Sequence, residues 1–300
     1  MTEAELEIER MYMERLDEEC AIDVSENIEY PPVAISMGEY TMNTQSGALR
    51  FPIPIGTYGN FSFISGQPKT KKSFFVSLLN GVYLSKSGQN KYGDTIKGNR
   101  EGRCAVHFDT EQGKFHAQRV FRRPFAMNGT EDVGCYHTYG LRPIGYKDRI
   151  KFIEYKLKQI IEQGQKIGLV TIDGIADLVS DANNIEESNL IVQKVMTWSS
   201  IYDCHIMLVV HTNFGSTKAT GHLGSFLQKK CETEILLEAN EDESIAVKCN
   251  RSRNYSFKEF SFEVSKKGLP YVTRDLTDTL SDVPNTISHQ EKLKRNPYKN

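Results

Sequence analysis

The sequence predicts an α/β fold: a mainly parallel twisted sheet with helices on both faces, and added antiparallel strands at its C-terminal end. Two observations predict the parallel part. Short apolar runs recur between residues 61 and 211, and segments of helical periodicity separate them. The third observation is a change of rhythm after residue 231, where strand-like runs follow one another with only short turns between them.

Residues 2–20 read as an amphipathic helix. Thr2 and Glu5 have the spacing of a capping box, and Ala4, Ile8, Met11, Tyr12 and Leu16 recur at helical intervals. Such a helix serves equally as a solvated element docking on its own core, as an arm between subunits, or as a partner-binding segment. Residues 21–60 contain Pro31, Pro32, Pro52 and Pro54 and read as a connector of loop and short strand. FSFIS (61–65) is a buried strand and 73–86 a helix; CAVHFDT (104–110) is a strand and 113–123 a helix. YHTYG (136–140) is a short strand, followed by a long helix over about 146–163. IGLVTID (167–173) is a strand, 185–200 a helix, and HIMLVVH (205–211) a strand. TEILLEA, SIAVKCNRS, EFSFEVS and PYVTR are the antiparallel extension, and the polar, Asn/Lys-rich 275–300 reads as a loose tail. The expected organisation is an acidic helix and connector over 1–45, one α/β domain over 46–274, and the tail over 275–300.

Composition narrows the function. The 300 residues are 39% hydrophobic and 25% charged, the balance of a water-soluble globular chain. No apolar run has the length of a membrane span, and MTEAELEIER lacks the basic start of a signal peptide, so a cytoplasmic location is expected. The net charge of −2 is unevenly spread: residues 1–30 carry eleven acids against Arg10 and Arg15, which leaves the rest at +7. A basic body can attract a polyanion. The six cysteines form no C-x-x-C pair, so neither disulfides nor a structural zinc site is expected.

The chemistry concentrates in FSFISGQPKTKKSFF, a strand running through Gly66 into a basic loop and a helix. This context is that of the phosphate-binding P-loop, G-x-x-x-x-G-K-[ST]. Loop N–H groups and the helix N-terminus would surround the phosphates of ATP, with Lys72 against the β/γ oxygens and Ser73 on Mg²⁺. Phe74 belongs to the same nucleotide-binding segment, and Lys69 adds charge. Lys71 stands where the pattern has glycine, as a misfit to the close backbone approach or as a second cation.

Three later landmarks follow in order. Asp173 closes an apolar strand, where a Walker B carboxylate would bond Mg²⁺. Glu111, in DTEQ, follows the strand after the P-loop helix and is a candidate general base for water; an ordinary helix-N-terminal carboxylate explains it too. His211 and Asn213, in VVHTN, end another strand, where polar side chains can sense the γ-phosphate.

This order resembles a RecA-fold ATPase core over about residues 50–272. It is most similar to the RepA-like and DnaB-like hexameric helicase branch, including AAA-type ATPases of Bacteroides mobile elements and phages, in DTEQ, IDGIADL and the GNFS–P-loop run. That group also has loops with a basic residue at the second-glycine position. The resemblance implies the roles above for Lys72, Ser73, Asp173, Glu111, His211 and Asn213. It further implies that Arg251 and Arg253, at alternate positions of a late strand and so on one face of it, reach the γ-phosphate of a neighbouring subunit. Lys218 would line a DNA channel in the loop after the sensor segment, with Lys229 and Lys230 on the following helix. The implied protein is an oligomer, a six-membered ring being favoured, that acts on single-stranded DNA beside separate replication or mobilisation proteins. Two other readings stay open: a nucleotide-gated regulatory assembly with little turnover, and a recombinase-type filament.

Overall fold

In a computed structural model that describes residues 2–44, 47–93, 95–130, 135–212 and 219–273, the chain divides into two units, Met1–Pro31 and Pro32–Asn300. The first holds helix α1 (Glu3–Cys20). Its start is the expected capping box: the Thr2 N–H donates to Glu5 Oε2 at 2.7 Å, and the Glu5 N–H donates to Thr2 Oγ1 at 3.3 Å. Pairs such as Arg10–Glu14 and Arg15–Glu19 lie one turn apart along it. None of its residues is buried, and Ile8, Met11 and Tyr12 are exposed.

The second unit opens with two strands where the prolines suggest a connector. β1 (Val33–Thr44) and β2 (Gly47–Thr57) form a long antiparallel hairpin. The prolines fit because β2 is the edge of its small sheet, whose order is β2–β1–β4, with β4 at Ile96–Gly98. Pro54 and Pro52 pair with Ser36 and Glu39, and the register shifts between those two partners, so the missing N–H groups cost no regular ladder.

The remaining elements follow the predicted rhythm. They are β3 (Phe61–Gly66), α2 (Lys72–Tyr83), β5 (Cys104–Asp109), α3 (Lys114–Asn128), β6 (Tyr136–Gly140) and α4 (Tyr146–Glu162). Then come β7 (Ile167–Asp173), α5 (Ile185–Ile201), β8 (His205–His211) and α6 (Gly221–Lys230). β9 (Thr233–Ala239), β10 (Ile245–Ser252), β11 (Phe260–Val264) and β12 (Pro270–Val272) complete the described chain. No helix among the described residues is long and apolar enough to cross a membrane.

The main sheet has the order β12–β11–β10–β9–β3–β8–β7–β5–β6. Strands β9, β3, β8, β7, β5 and β6 are parallel, and β10 to β12 are an antiparallel extension from β9. The parallel strands are apolar on both sides, as a doubly covered sheet requires. On β8, Ile206, Leu208 and Val210 enter one core, with α4, α5 and α6, whereas Met207 and Val209 enter the other, with α2. Strand β8 is inserted between β3, which runs into the basic loop before α2, and β7, which ends in Asp173. Chain order and spatial order diverge there, as at the switch point of an open α/β sheet.

Candidate functional site

The site forms where register brings strand ends together. Gly66 pairs with His211, and Asp109 pairs with Asp173, so the segments after β3, β8, β5 and β7 leave the sheet at one edge. Beyond Gly66 the loop turns sharply into α2. Lys71 caps that helix in the left-handed region, at φ 56° and ψ 32°, and Lys69 is left-handed too, at φ 71°. Lys71 thus adopts the backbone that glycine would take at no steric cost. The Lys71 Nζ donates to the Glu243 carbonyl at 2.8 Å. Lys69 is exposed on the same loop.

Lys72, the first residue of α2, is buried, and its Nζ donates to the carbonyls of Gly66 and Gln67, each at 2.9 Å. Burial pulls its ammonium down to about 8, against the attraction of Glu111 and Asp173. Ser73 Oγ donates to Asp173 Oδ2 at 2.8 Å, joining the helix start to the end of β7. Asp173 is only 4% exposed. Burial raises its carboxyl to about 7, with Asp109 and Glu111 adding repulsion and the Ser73 hydroxyl opposing.

Asp109 is a member of the site that the sequence reading passed over. It is fully buried at the end of β5 and accepts the N–H groups of Glu111 at 3.1 Å and Gln112 at 2.8 Å through Oδ1. Its Oδ2 has no hydrogen-bond partner among the described residues. The donors here, a hydroxyl, the Asp173 carboxylate and the free oxygen of Asp109, are all hard oxygens. This donor set fits Mg²⁺, with Ser73 and Asp173 as the residues that would hold it.

Glu111 follows the Asp109 turn, and its Oε1 lies 3.2 Å from His211 Nε2; the two side chains are 43% and 41% exposed. The contact with His211 holds the Glu111 carboxyl below its usual range, helped by Lys72. Glu111 is therefore a carboxylate at neutral pH, the form a proton acceptor needs. Thr110 braces the turn, its N–H donating to the Asp173 carbonyl at 3.1 Å. Beyond His211, Thr212 bridges Ala219, closing the base of a segment that contains Asn213 and Lys218. Those two lie outside the described residues.

Arg123 is one of three arginines on α3. Its guanidinium stacks 3.7 Å from the Phe74 ring centre, and Nη1 donates to Ser77 Oγ at 3.3 Å. It therefore backs the P-loop helix, and burial lowers it to about 10.

Arg251 and Arg253 stand at the end of β10 and just beyond it. Only Arg251 lies on β10, which ends at Ser252, and the β9–β10 register shifts between Cys249 and Arg251. From Arg251 the pairing is regular again, with Ser252 opposite Thr233 and the Arg253 N–H donating to the Glu232 carbonyl at 2.9 Å. Arg251 Nε approaches Glu234 Oε2 at 3.7 Å, and Arg253 Nη2 donates to the Lys230 carbonyl at 2.7 Å. Arg251 pairs with Glu234, three residues before the Leu237 that pairs with Gly66. At about 3.3 Å per residue, this is about 10 Å down the sheet from the P-loop edge. Lys229 and Lys230 are exposed in the last turn of α6, at the same lower end.

No protein-family model matches the chain, and no curated protein matches it. Among solved structures, a KaiC-like protein from the archaeon Pyrococcus horikoshii matches at a TM-score of 0.48 and 17% identity, over 73% of this chain and 91% of its own. That likeness is too loose to bear on function.

Proposed function

We propose that the protein is a Mg²⁺-dependent ATP hydrolase that assembles into a homo-oligomer and acts on single-stranded DNA in the cytoplasm, as a replicative or mobilisation helicase. The observation that carries this reading is the meeting at one sheet edge of the Lys72 ammonium, the Ser73–Asp173 pair and the Glu111–His211 pair. Each has a task in phosphoryl transfer. Lys72, now donating to loop carbonyls, exchanges them for β- and γ-phosphate oxygens, and the N–H groups at the start of α2, through Phe74, point at the same charge. Ser73 and Asp173 would hold Mg²⁺, which when bound would neutralise charge on the phosphate oxygens. Glu111 orients a water and accepts its proton, and His211 with Asn213 follows the γ-phosphate.

Arg251 and Arg253 lie at the far end of the sheet from their own P-loop, which supports their acting on the site of a neighbouring protomer. A ring of six is the favoured assembly. Lys218, Lys229 and Lys230 are the residues proposed to meet the DNA backbone, and the +7 body supports them with a general attraction. Separate replication or mobilisation proteins would supply loading. The acidic first unit favours a second reading, a nucleotide-gated regulatory assembly with little turnover; a recombinase-type filament is the third.

ATP turnover with and without single-stranded DNA tests the proposal, together with strand displacement on forked DNA. DNA-stimulated turnover with displacement is expected. Stimulated turnover without displacement points to the filament, and a folded protein that binds ATP without turning it over points to the regulatory assembly.

A further inference from the structure

The fold brings Cys104 beside Cys135 and His137, some thirty residues later in the sequence, at the lower corner of the sheet, the end where β5 begins. Cys104 opens β5 and is buried, while Cys135 immediately precedes β6 and is half-buried, as is His137 within β6. The parallel register pairs Ala105 with Tyr136 and Val106 with His137, so Cys104 and Cys135 are neighbours across the two strands. The Ala105 N–H donates to the Cys135 carbonyl at 2.9 Å, fixing that juxtaposition. Cys135 and His137 are two residues apart, and so share a face of the edge strand.

The Sγ atoms of Cys104 and Cys135 and a ring nitrogen of His137 all lie within 4.8 Å of one another. Cys135 Sγ is 3.6 Å from His137 Nε2. Two ligands on a tetrahedral zinc ion, with Zn–S about 2.3 Å and Zn–N about 2.0–2.1 Å, stand roughly 3.6 Å apart. The side chains are therefore spaced to receive an ion with little movement. Gln165 Oε1 sits 2.7 Å from the same His137 nitrogen, and both cysteines are free thiols.

We propose that Cys104, Cys135 and His137 bind one zinc ion, with the fourth position taken by water or by the Gln165 amide oxygen. Two thiolates and an imidazole are the donor set zinc favours over the hard cations Mg²⁺ and Ca²⁺. On binding, each thiol gives up its proton to solvent, and two thiolates balance the charge of the ion, so the buried site is neutral overall. The consequence is structural. Among the described residues β6 ends the sheet, paired with β5, so an ion bound to both strands clips the edge strand to its neighbour. The absence of a C-x-x-C pair argued against zinc because linear spacing does not register ligands brought together by adjacent parallel strands. This inference does not depend on the ATPase reading.

The test uses the full-length, tag-free chain, reduced and stripped of metal with a chelator, then titrated with Co²⁺ and afterwards with Zn²⁺. One Co²⁺ per chain is expected, with a thiolate-to-metal charge-transfer band and ligand-field bands of tetrahedral intensity, displaced by Zn²⁺ and unaffected by excess Mg²⁺. Cys135→Ser and His137→Ala, chosen because neither side chain is fully buried, should each weaken binding at least about 100-fold. Circular dichroism establishes that both variants remain folded. Zn²⁺ should also raise the melting temperature of the wild type and shield Cys135 from alkylation by iodoacetamide. Absence of the charge-transfer band, or unchanged Co²⁺ affinity in the two variants, would overturn the proposal. So would a Cys104–Cys135 disulfide in the chain purified without reductant, with no zinc retained; that result would make the pair a redox couple instead.

Discussion

Lys71 holds a backbone conformation that favours glycine. A left-handed backbone costs an ordinary L-residue roughly 1–2 kcal/mol, and Lys71 holds it at the N-cap of α2 with its side chain tied to the Glu243 carbonyl. Lys71→Gly should therefore change stability by no more than about 1 kcal/mol, since relief of strain offsets the lost contact and the greater freedom of the unfolded chain. Lys71→Val, β-branched in the same backbone, should destabilise by about 1 kcal/mol or more relative to the wild type. Urea unfolding midpoints of the two variants check the ordering. The motif in the sequence located this loop but left open how a lysine would sit there, because spacing carries no φ angle. Asp109 was equally present in the letters DTEQ. It was passed over because its role rests on β5 lying beside β7, a pairing that apolar periodicity alone does not specify.

At the scale of the element, the parallel strands were legible because each is short, apolar and separated from the next by a helical period. The β1–β2 hairpin was not, since Pro52 and Pro54 read as breakers and only edge placement with a shifted register makes them tolerable. The same strands bury two histidines. His107 on β5 has Nδ1 3.0 Å from Tyr136 Oη, and His205 on β8 has Nδ1 2.9 Å from the Thr57 carbonyl. Neither Nε2 has a hydrogen-bond partner among the described residues. A proton added there would meet no acceptor, and burial lowers the two imidazoles to about 3 and about 4. The unfolded chain takes up protons below about 6.5 while the folded chain does not. Stability from these groups is thus present above about 6.5 and is lost as pH falls toward their folded values. Between pH 7 and pH 5 the loss for His107 alone is about 2 kcal/mol, taking about 1.4 kcal/mol per unit over the 1.5 units below 6.5. His107→Phe should make the unfolding midpoint less acid-sensitive over that range, and an unchanged slope would contradict the assignment.

For the whole molecule, the two ends of the parallel sheet carry different chemistry. The upper edge holds Lys72, Ser73, Asp109, Asp173 and Glu111, whereas Arg251, Arg253, Lys229 and Lys230 lie at the lower end. If the arginines complete a neighbour's site, two inactive variants should complement each other. Glu111→Gln retains both arginines, and a chain carrying Arg251→Ala and Arg253→Ala retains Glu111. Random mixing in a ring joins an intact Glu111 to an intact arginine pair at roughly a quarter of the interfaces. The mixture should hydrolyse ATP well above the sum of the separate variants; turnover equal to that sum would confine the arginines to their own chain. Which face meets which neighbour was beyond the sequence, because assembly depends on surfaces that periodicity does not resolve.

The most direct measurement is ATP binding and turnover by the wild type and Glu111→Gln, side by side in Mg²⁺. Wild-type protein should bind ATP and hydrolyse it, while Glu111→Gln should bind with similar affinity and release almost no phosphate. A folded wild type that fails to bind ATP, or a Glu111→Gln chain that hydrolyses at the wild-type rate, would contradict the account.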